Sequence, residues 1–219
     1  MIDLIPCGHE DRHLVEAFIH QRFEGRYHAN IKHFMPYLLQ MRHDGSGDRF
    51  AVAGARPARD NNHLFIETYL DSPVEQVIGQ QTGSTPMRCG IVEIGNLAEA
   101  ENGGARHAVV ALTGLLHGAG FTWVAFTAVR LLANTCQRVG LEPIILGNAD
   151  PSLLDSAQQR EWGSYYDNAP QVMCGRVDDA FNLLNSLERE IPSSKRTPLR
   201  IGYQIGRRLR SQQPEYSTT

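Results

Sequence analysis

Residues 91–150, IVEIGNLAEAENGGARHAVVALTGLLHGAGFTWVAFTAVRLLANTCQRVGLEPIILGNAD, decide the fold. Ile91 to Ile94 is a short β-rich run, and Leu97 to Gly104 is a polar, glycine-rich connection. Ala105 to Gly118 has helical spacing, and Phe121 to Ala128 is a second apolar strand. Arg130 to Val139 is a second helix closed by Gly140, and Pro143 to Leu146 is a third strand. Strands joined by helical crossovers favour parallel neighbours. Ligands of such sheets gather beyond the carboxyl ends of the strands, where a helix N-terminus can face an anion. The connection from Asn96 to Arg106 is therefore the expected site.

Working outward, Ile2 to Pro6 is expected as an edge strand. Glu10 to Tyr27 carries Leu14, Val15, Phe18, Ile19 and Phe23 at helical spacing. Pro36 to Arg42 and Phe50 to Ala55 form a hairpin across the turn cluster Asp44 to Asp48. Leu64 to Leu70 suits either strand or helix. Ser72-Pro73-Val74-Glu75 reads as a helix start, with Ser72 at the N-cap, Pro73 first in the helix and Glu75 completing a capping box. Toward the C-terminus, a polar helical segment follows Pro151 and a strand runs from Gln171 to Val177. Asp178 to Ile191 is an amphipathic helix with Phe181, Leu184 and Leu187 on one side. Residues 1–191 read as a single domain and 192–219 as a basic tail. Between 195 and 210 the tail holds Lys195, Arg196, Arg200, Arg207, Arg208 and Arg210 and no acid. Pro198, Gly202 and Gly206 argue against one continuous helix there. The tail is either a solvated segment packed by its apolar side chains, or a dock for an acidic carrier protein or a lipid surface.

The 219 residues are ample for a sizeable core, and 42% hydrophobic with 21% charged residues describes an ordinary globule. A net charge of −3 gives no nucleic-acid signal. Cys7, Cys89, Cys136 and Cys174 are far apart, which speaks against zinc and redox motifs and for reduced, mostly buried thiols. His9 and His13 lack a third ligand at a diagnostic interval, and His28 and His33 are one residue further apart, which suits a shared helical face less well, so no metal site is expected. No basic n-region precedes an apolar core, and no run approaches a membrane span, so a cytoplasmic location is expected.

Three segments carry a family likeness: Thr68 to Glu75, Ile91 to Ala98, and Trp162-Gly163-Ser164-Tyr165-Tyr166. Over roughly Gly25 to Asp178 the chain resembles the thermostable hemolysin family of bacterial proteins. The resemblance implies a GNAT-type acyltransferase fold, close to that of the acyl-homoserine-lactone synthases. This is an α/β (α+β) three-layer fold, with a mixed sheet of six to seven strands and helices on both faces. In such folds two central parallel strands splay apart to admit a pantetheine arm; here Arg88–Leu97 and Phe121–Ala128 would be that pair.

The implied function is transfer of an acyl group from an acyl thioester to a small amine or amino-acid-like acceptor. The alternatives are a membrane-active hemolysin, or a GNAT-like protein that binds acyl thioesters without turnover. No permanently bound cofactor is expected; the donor is the phosphopantetheine of acyl-carrier protein or acyl-CoA. GNAT enzymes carry a pyrophosphate loop, which aligns here with Ala100, Gly103, Gly104 and Ala105. Its leading Gln or Arg is absent, Glu99 and Glu101 add negative charge, and Arg106 offsets part of it. These departures favour a carrier protein over coenzyme A as donor. Cys136 stands where GNAT enzymes place a proton-donating tyrosine; the other reading is a small buried side chain.

Acyl transfer to an amine needs a base, a polarised carbonyl and close positioning. Glu93, in an otherwise apolar strand, is the base candidate, against a plain salt bridge to Arg88 or Arg106. Asn96, Leu97, Thr127 and Arg130 flank the expected donor site. Glu67 and Asp71 are candidates for a cationic acceptor, and Trp162, Tyr165 and Tyr166 for the wall of an acyl or acceptor pocket, or for packing.

Overall fold

A computed structural model describes residues 1–59, 62–100, 103–192 and 195–212. Glu101, read above as adding charge to the loop, lies outside the described residues. The strands are β1 (Ile2–Pro6), β2 (Tyr37–Arg42), β3 (Arg49–Pro57), β4 (Ile91–Glu99), β5 (Trp123–Ala128), β6 (Ile144–Asn148) and β7 (Gln171–Arg176). The helices are α1 (Arg12–Tyr27), α2 (Val74–Thr82), α3 (Gly104–Ala119), α4 (Arg130–Arg138), α5 (Ser156–Glu161), α6 (Val177–Leu187) and α7 (Pro198–Gln212). Among the described residues they build one mixed seven-stranded sheet, ordered β1-β2-β3-β4-β5-β7-β6, with helices on both faces. Alternation along the strands feeds two cores. Leu38, Val52 and Ala98 pack with Val15, Ile19 and Phe23 of α1, whereas Leu39, Ala53 and Val92 pack with Ala108, Leu112 and Leu115 of α3.

Among the described residues, parallel pairing occurs only between β4 and β5. The third strand of the central unit is not their neighbour: β7 lies between β5 and β6 and runs antiparallel to both. β4 also runs further than its apolar start suggests. Its carboxyl half keeps pairing with β3, through Val52↔Ala98 and Ala51↔Glu99, after a bulge that sets Gly54 opposite Gly95. Asn96 forms the bulge with φ 49°, a conformation that asparagine tolerates better than most residues.

Leu64 to Leu70 resolves as a 3₁₀ turn over Phe65–Tyr69. α2 begins differently from the capping box read in the sequence: Pro73 occupies the N-cap, with no side-chain cap from Ser72. Glu67 does that work from a distance. Its Oε1 accepts from the Val74 amide at 3.0 Å and from Arg88 Nη1 at 2.6 Å. Its Oε2 accepts from the Leu64 amide at 2.8 Å and from Arg88 Nη2 at 2.9 Å. Glu75 also turns to Arg88, at 2.7 Å. Burial pushes the Glu67 carboxyl up, but Arg88 and the two amides outweigh it and hold it at about 2, against an ordinary 4.5. A depressed acid stabilises the fold above its unfolded value and loses that contribution as pH falls toward its folded one. Glu67→Gln should therefore cost on the order of 2 kcal/mol at neutral pH, allowing for partial solvent screening. It should also flatten the loss of stability between about pH 4.5 and 2, measured as urea midpoints across that range.

The basic segment is ordered as a helix. Thr197 is the N-cap of α7, accepting from the Arg200 amide at 3.3 Å, and Pro198 is first in the helix, where its missing N–H costs nothing. Gly202 and Gly206 do not break it; they let it lie against Gly114 and Gly118 of α3. A Cβ on Gly114 would stand 2.1 Å from the Leu199 carbonyl oxygen, and one on Gly206 would stand 2.1 Å from that of Leu115. In α6, Leu184 is buried but Leu187 is 66% exposed, so the expected apolar face is shorter than read. Cys136 and Cys174 are buried free thiols, and Cys7 and Cys89 are exposed ones, where mostly buried thiols were expected.

Candidate active site

β4 and β5 pair over Ile91–Ile94 and Trp123–Phe126, after which the ladder stops while both strands continue. β4 stays with β3 and β5 stays with β7, so the two part like a wedge. A cavity of about 650 Å³ fills the gap and is lined by every β4 residue from Glu93 to Glu99 and by Phe126 and Thr127 of β5. On the face of the sheet that packs α3, an apolar cavity of about 340 Å³ lies between α3, α4 and α6. Ile94, Leu97, Phe126 and Leu132 line both, so the gap is the wall they share.

Glu93 is 1% exposed and faces the larger cavity. Its Oε2 accepts from the Phe65 amide at 3.1 Å and its Oε1 from the Ile66 amide at 3.0 Å, which fixes the 3₁₀ turn over the strand. The paired cation is Arg56, opposite it on β3 and 3.5 Å away, rather than Arg88 or Arg106. Burial raises the Glu93 carboxyl above the usual glutamate range, with Arg56 and the two amides pulling the other way. Asn96 is occupied structurally: its Oδ1 accepts from the Met35 amide at 2.7 Å and its Nδ2 donates to the His33 carbonyl at 3.4 Å. That holds residues 33–35 across the bulge and forms one rim of the cavity.

Trp162, Tyr165 and Tyr166 line the larger cavity together with Phe23, Tyr27 and Tyr69. Trp162 meets Phe65 in a stacked arrangement at 5.8 Å and Tyr165 meets Tyr27 edge-on at 5.2 Å. The Tyr69 and Tyr166 hydroxyls share a short hydrogen bond, and burial pushes Tyr166 up to about 12. Sequence reading missed Phe23, Tyr27 and Tyr69 as cavity walls, because core packing and cavity lining leave the same apolar spacing.

Thr127 also faces the cavity, and its Oγ1 is a buried hydroxyl with no hydrogen-bond partner. At the start of α3, Gly103 has φ 97° and Gly104 is buried, while Ala105 lines the cavity. Arg106 and Arg130 are exposed and do not line it. Glu67 is engaged by Arg88 and lies outside the cavity, as does the exposed Asp71. Cys136 lines the smaller cavity and packs near Phe126 and Met173. Burial pushes its thiol up to about 11, so it holds its proton more firmly than an ordinary cysteine.

α3 and α7 run parallel, since Gly114 lies against Leu199 to Tyr203 and Gly118 against Tyr203 to Arg207. Arg207, Arg208 and Arg210 therefore lie near the carboxyl end of α3, whereas the strand gap opens near its amino end, about 20 Å away along the axis. Arg200 is tied to the carbonyls of Pro192 and Ile191 at 2.7 and 3.1 Å. The apolar side of α7 is covered, with Leu199 1% exposed. Among the described residues, no helix is long and apolar enough to cross a membrane, and no three His, Cys, Asp or Glu side chains cluster as metal ligands would.

Several solved structures share this architecture at low sequence identity. BjaI, a CoA-dependent acyl-homoserine lactone synthase solved with SAM and isopentyl-CoA, superposes with a TM-score of 0.55 at 14% identity, over 94% of this chain and 99% of its own. FeeM, an N-acyl amino acid synthase from uncultured soil microbes, gives 0.54 at 10% identity, over 84% and 93%. The acyl-homoserine lactone synthase LasI gives 0.52 at 12%, over 81% and 89%. No curated protein matches by sequence. The fold is thus the GNAT-like fold of these synthases. The model of one sequence family, thermostable hemolysin, matches residues 5–181, and the chain belongs to that family.

Proposed function

We propose that this protein is an acyltransferase that moves an acyl group from a pantetheine thioester to a small amine. The observation that carries this reading is the parting of β4 and β5 after Ile94 and Phe126, with a cavity on each side of the gap. An extended pantetheine arm fits such a gap, because the unpaired edges offer backbone N–H and C=O groups to its amides. The smaller, mainly apolar cavity suits the acyl chain. The larger one, with its aromatic wall and the buried Glu93, suits the acceptor.

In the reaction the amine nitrogen attacks the thioester carbonyl carbon and the C–S bond breaks. The ammonium proton passes to Glu93, and the leaving thiolate takes a proton from solvent, to which Glu93 then returns its own. A carboxylate raised by burial is a better proton acceptor than an exposed one. Thr127 Oγ1 is a hydrogen-bond donor for the thioester or the pantetheine arm. Thr127→Val should raise the donor KM roughly tenfold, the loss of about one hydrogen bond. It should leave the melting temperature equal or higher, since it removes an unpartnered buried hydroxyl. An unchanged donor KM would remove Thr127 from the site.

Native mass spectrometry of protein taken from expressing cells tests the reaction class: a retained acyl thioester or N-acyl product is expected. The purified protein should not lyse red cells without donor and acceptor. Lysis by the protein alone, with no retained thioester or product, would favour direct membrane action instead.

A further inference from the structure

Arg22 and Arg26 stand one turn apart on α1, and both line the larger cavity. Like charges at this spacing repel on a helix face. Nothing within the described residues relieves them, for neither makes a hydrogen bond or an ion pair. Each meets only a ring: the Arg22 guanidinium lies 5.2 Å from the centre of Phe18, and that of Arg26 lies 5.5 Å from the centre of Tyr27. Arg26 sits in the last turn of α1, where the helix carbonyls favour a cation. Arg22 lacks that support. It is half-buried, and its Nε is shut away from solvent with no acceptor. A charged donor so placed costs free energy until an acceptor reaches it. Between the two arginines, a Cβ on Gly25 would meet nothing within 4 Å, so the α1 surface there is open to the cavity.

The acids that line the same cavity are already engaged. Glu93 accepts from two amides and pairs with Arg56. Glu99 accepts from the Ala105 amide at 2.7 Å. Glu161 pairs with Lys32 at 3.5 Å. The α1 wall is therefore positive with no internal counter-ion, in the cavity that also holds the buried carboxylate of Glu93. A guanidinium takes a carboxylate through two parallel hydrogen bonds, the strong form of such a contact.

We propose that Arg22, with Arg26 beside it, binds the carboxylate of the acceptor, so that the acceptor is an amino acid rather than a plain amine. Its carboxylate goes to Arg22 and its amine to Glu93. This rests on the acyltransferase reading given above. A phosphate on the donor has the same chemistry toward arginine, so the assay reads donor and acceptor separately.

The test uses the full chain as wild type, Arg22→Gln and Arg22→Lys, with octanoyl-CoA and octanoyl-carrier protein as donors. Acceptors come in pairs that differ by the carboxylate: glycine and methylamine, leucine and isopentylamine, phenylalanine and phenethylamine. In the wild type, kcat/KM for at least one amino acid should exceed that for its paired amine. Arg22→Gln should cut that ratio roughly 10- to 100-fold, the worth of a hydrogen bond to a charged group, through the KM for the amino acid. Arg22→Lys keeps the charge but loses the planar fork, so it should restore only part of the ratio. Neither change should lower the melting temperature, since Arg22 has no partner to lose. Equal use of every amino acid and its amine by the wild type, or an unaltered ratio in Arg22→Gln, would overturn the proposal. A rise confined to the donor KM would overturn it too, by giving Arg22 to the donor phosphate. Calorimetry with N-octanoylphenylalanine and N-octanoylphenethylamine reads binding without turnover. The first should bind wild type about tenfold or more tightly than it binds Arg22→Gln, and the second should show a smaller difference. If that difference is found but no form transfers an acyl group from either donor, the carboxylate site stands and the acyltransferase reading falls; if it is absent, the site falls.

Discussion

Gly202→Leu is expected to detach α7 from α3 and lower stability by at least about 4 kcal/mol, a loss at the severe end of single substitutions. The reason is geometric. A Cβ at this position would stand 2.0 Å from the Ala111 carbonyl oxygen and 3.0 Å from the Leu115 nitrogen, and both are backbone atoms of a helix that cannot step aside. Glycines four apart on each helix, Gly114 with Gly118 and Gly202 with Gly206, let the two backbones approach side by side, as small residues do wherever helices touch. Any side chain there forces the axes apart and uncovers Leu199 and Leu115, which are 1% and 4% exposed. For a chain of this length the melting temperature should fall by on the order of 10 °C. Limited trypsin digestion should then cut at Arg200 and Arg207 while the rest of the chain resists. Gln204→Ala, on the exposed side of the same helix, should change neither result. A Gly202→Leu protein with native melting and native digestion would show that the two helices are not in contact.

This contact marks the boundary of what the sequence could reveal. Thr197-Pro198 carries the same kind of start signal as Ser72-Pro73, yet the glycines beyond it read as breakers. Glycine is penalised in an isolated helix, but a second backbone packed against it reverses the sign, and that backbone comes from residues far away in the chain. The strand–helix alternation through β4, α3, β5 and α4 was legible because each element carries its own period. Insertion of β7 between β5 and β6 was not, since β7 and a third parallel strand would show the same apolar run. Glu93 was legible as an anomaly, a carboxylate in an apolar strand. Its partner Arg56 was not, because the pair is made by β3–β4 register. Glu67 shows the converse: its acidity suggested a ligand contact, and Arg88, 21 residues away in sequence, satisfies it internally.

Glu93→Gln should lower kcat/KM for acyl transfer by about 10²- to 10⁴-fold, the range for losing a general base. The same change disturbs structure, so rate alone does not decide the role. An amide offers one acceptor oxygen where the carboxylate offers two, so either the Phe65 or the Ile66 N–H would face another donor. That should cost about 1–3 kcal/mol, partly offset because the raised carboxyl of Glu93 already weighs against the fold. For an acid shifted upward, stability declines as pH rises from the unfolded value through the folded one, and a neutral amide escapes this. The pH profile separates base from brace. If Glu93 takes the proton, kcat/KM should climb along a limb whose apparent pKa lies above that of ordinary glutamate, and Glu93→Gln should remove the limb. Arg56→Met strips away the cation that holds the carboxyl down, so it should move the limb to higher pH while leaving Glu93 in place. A residue that merely braced the 3₁₀ turn would give a lower rate in both variants with the limb unmoved, and that outcome would assign the proton to another group in the cavity.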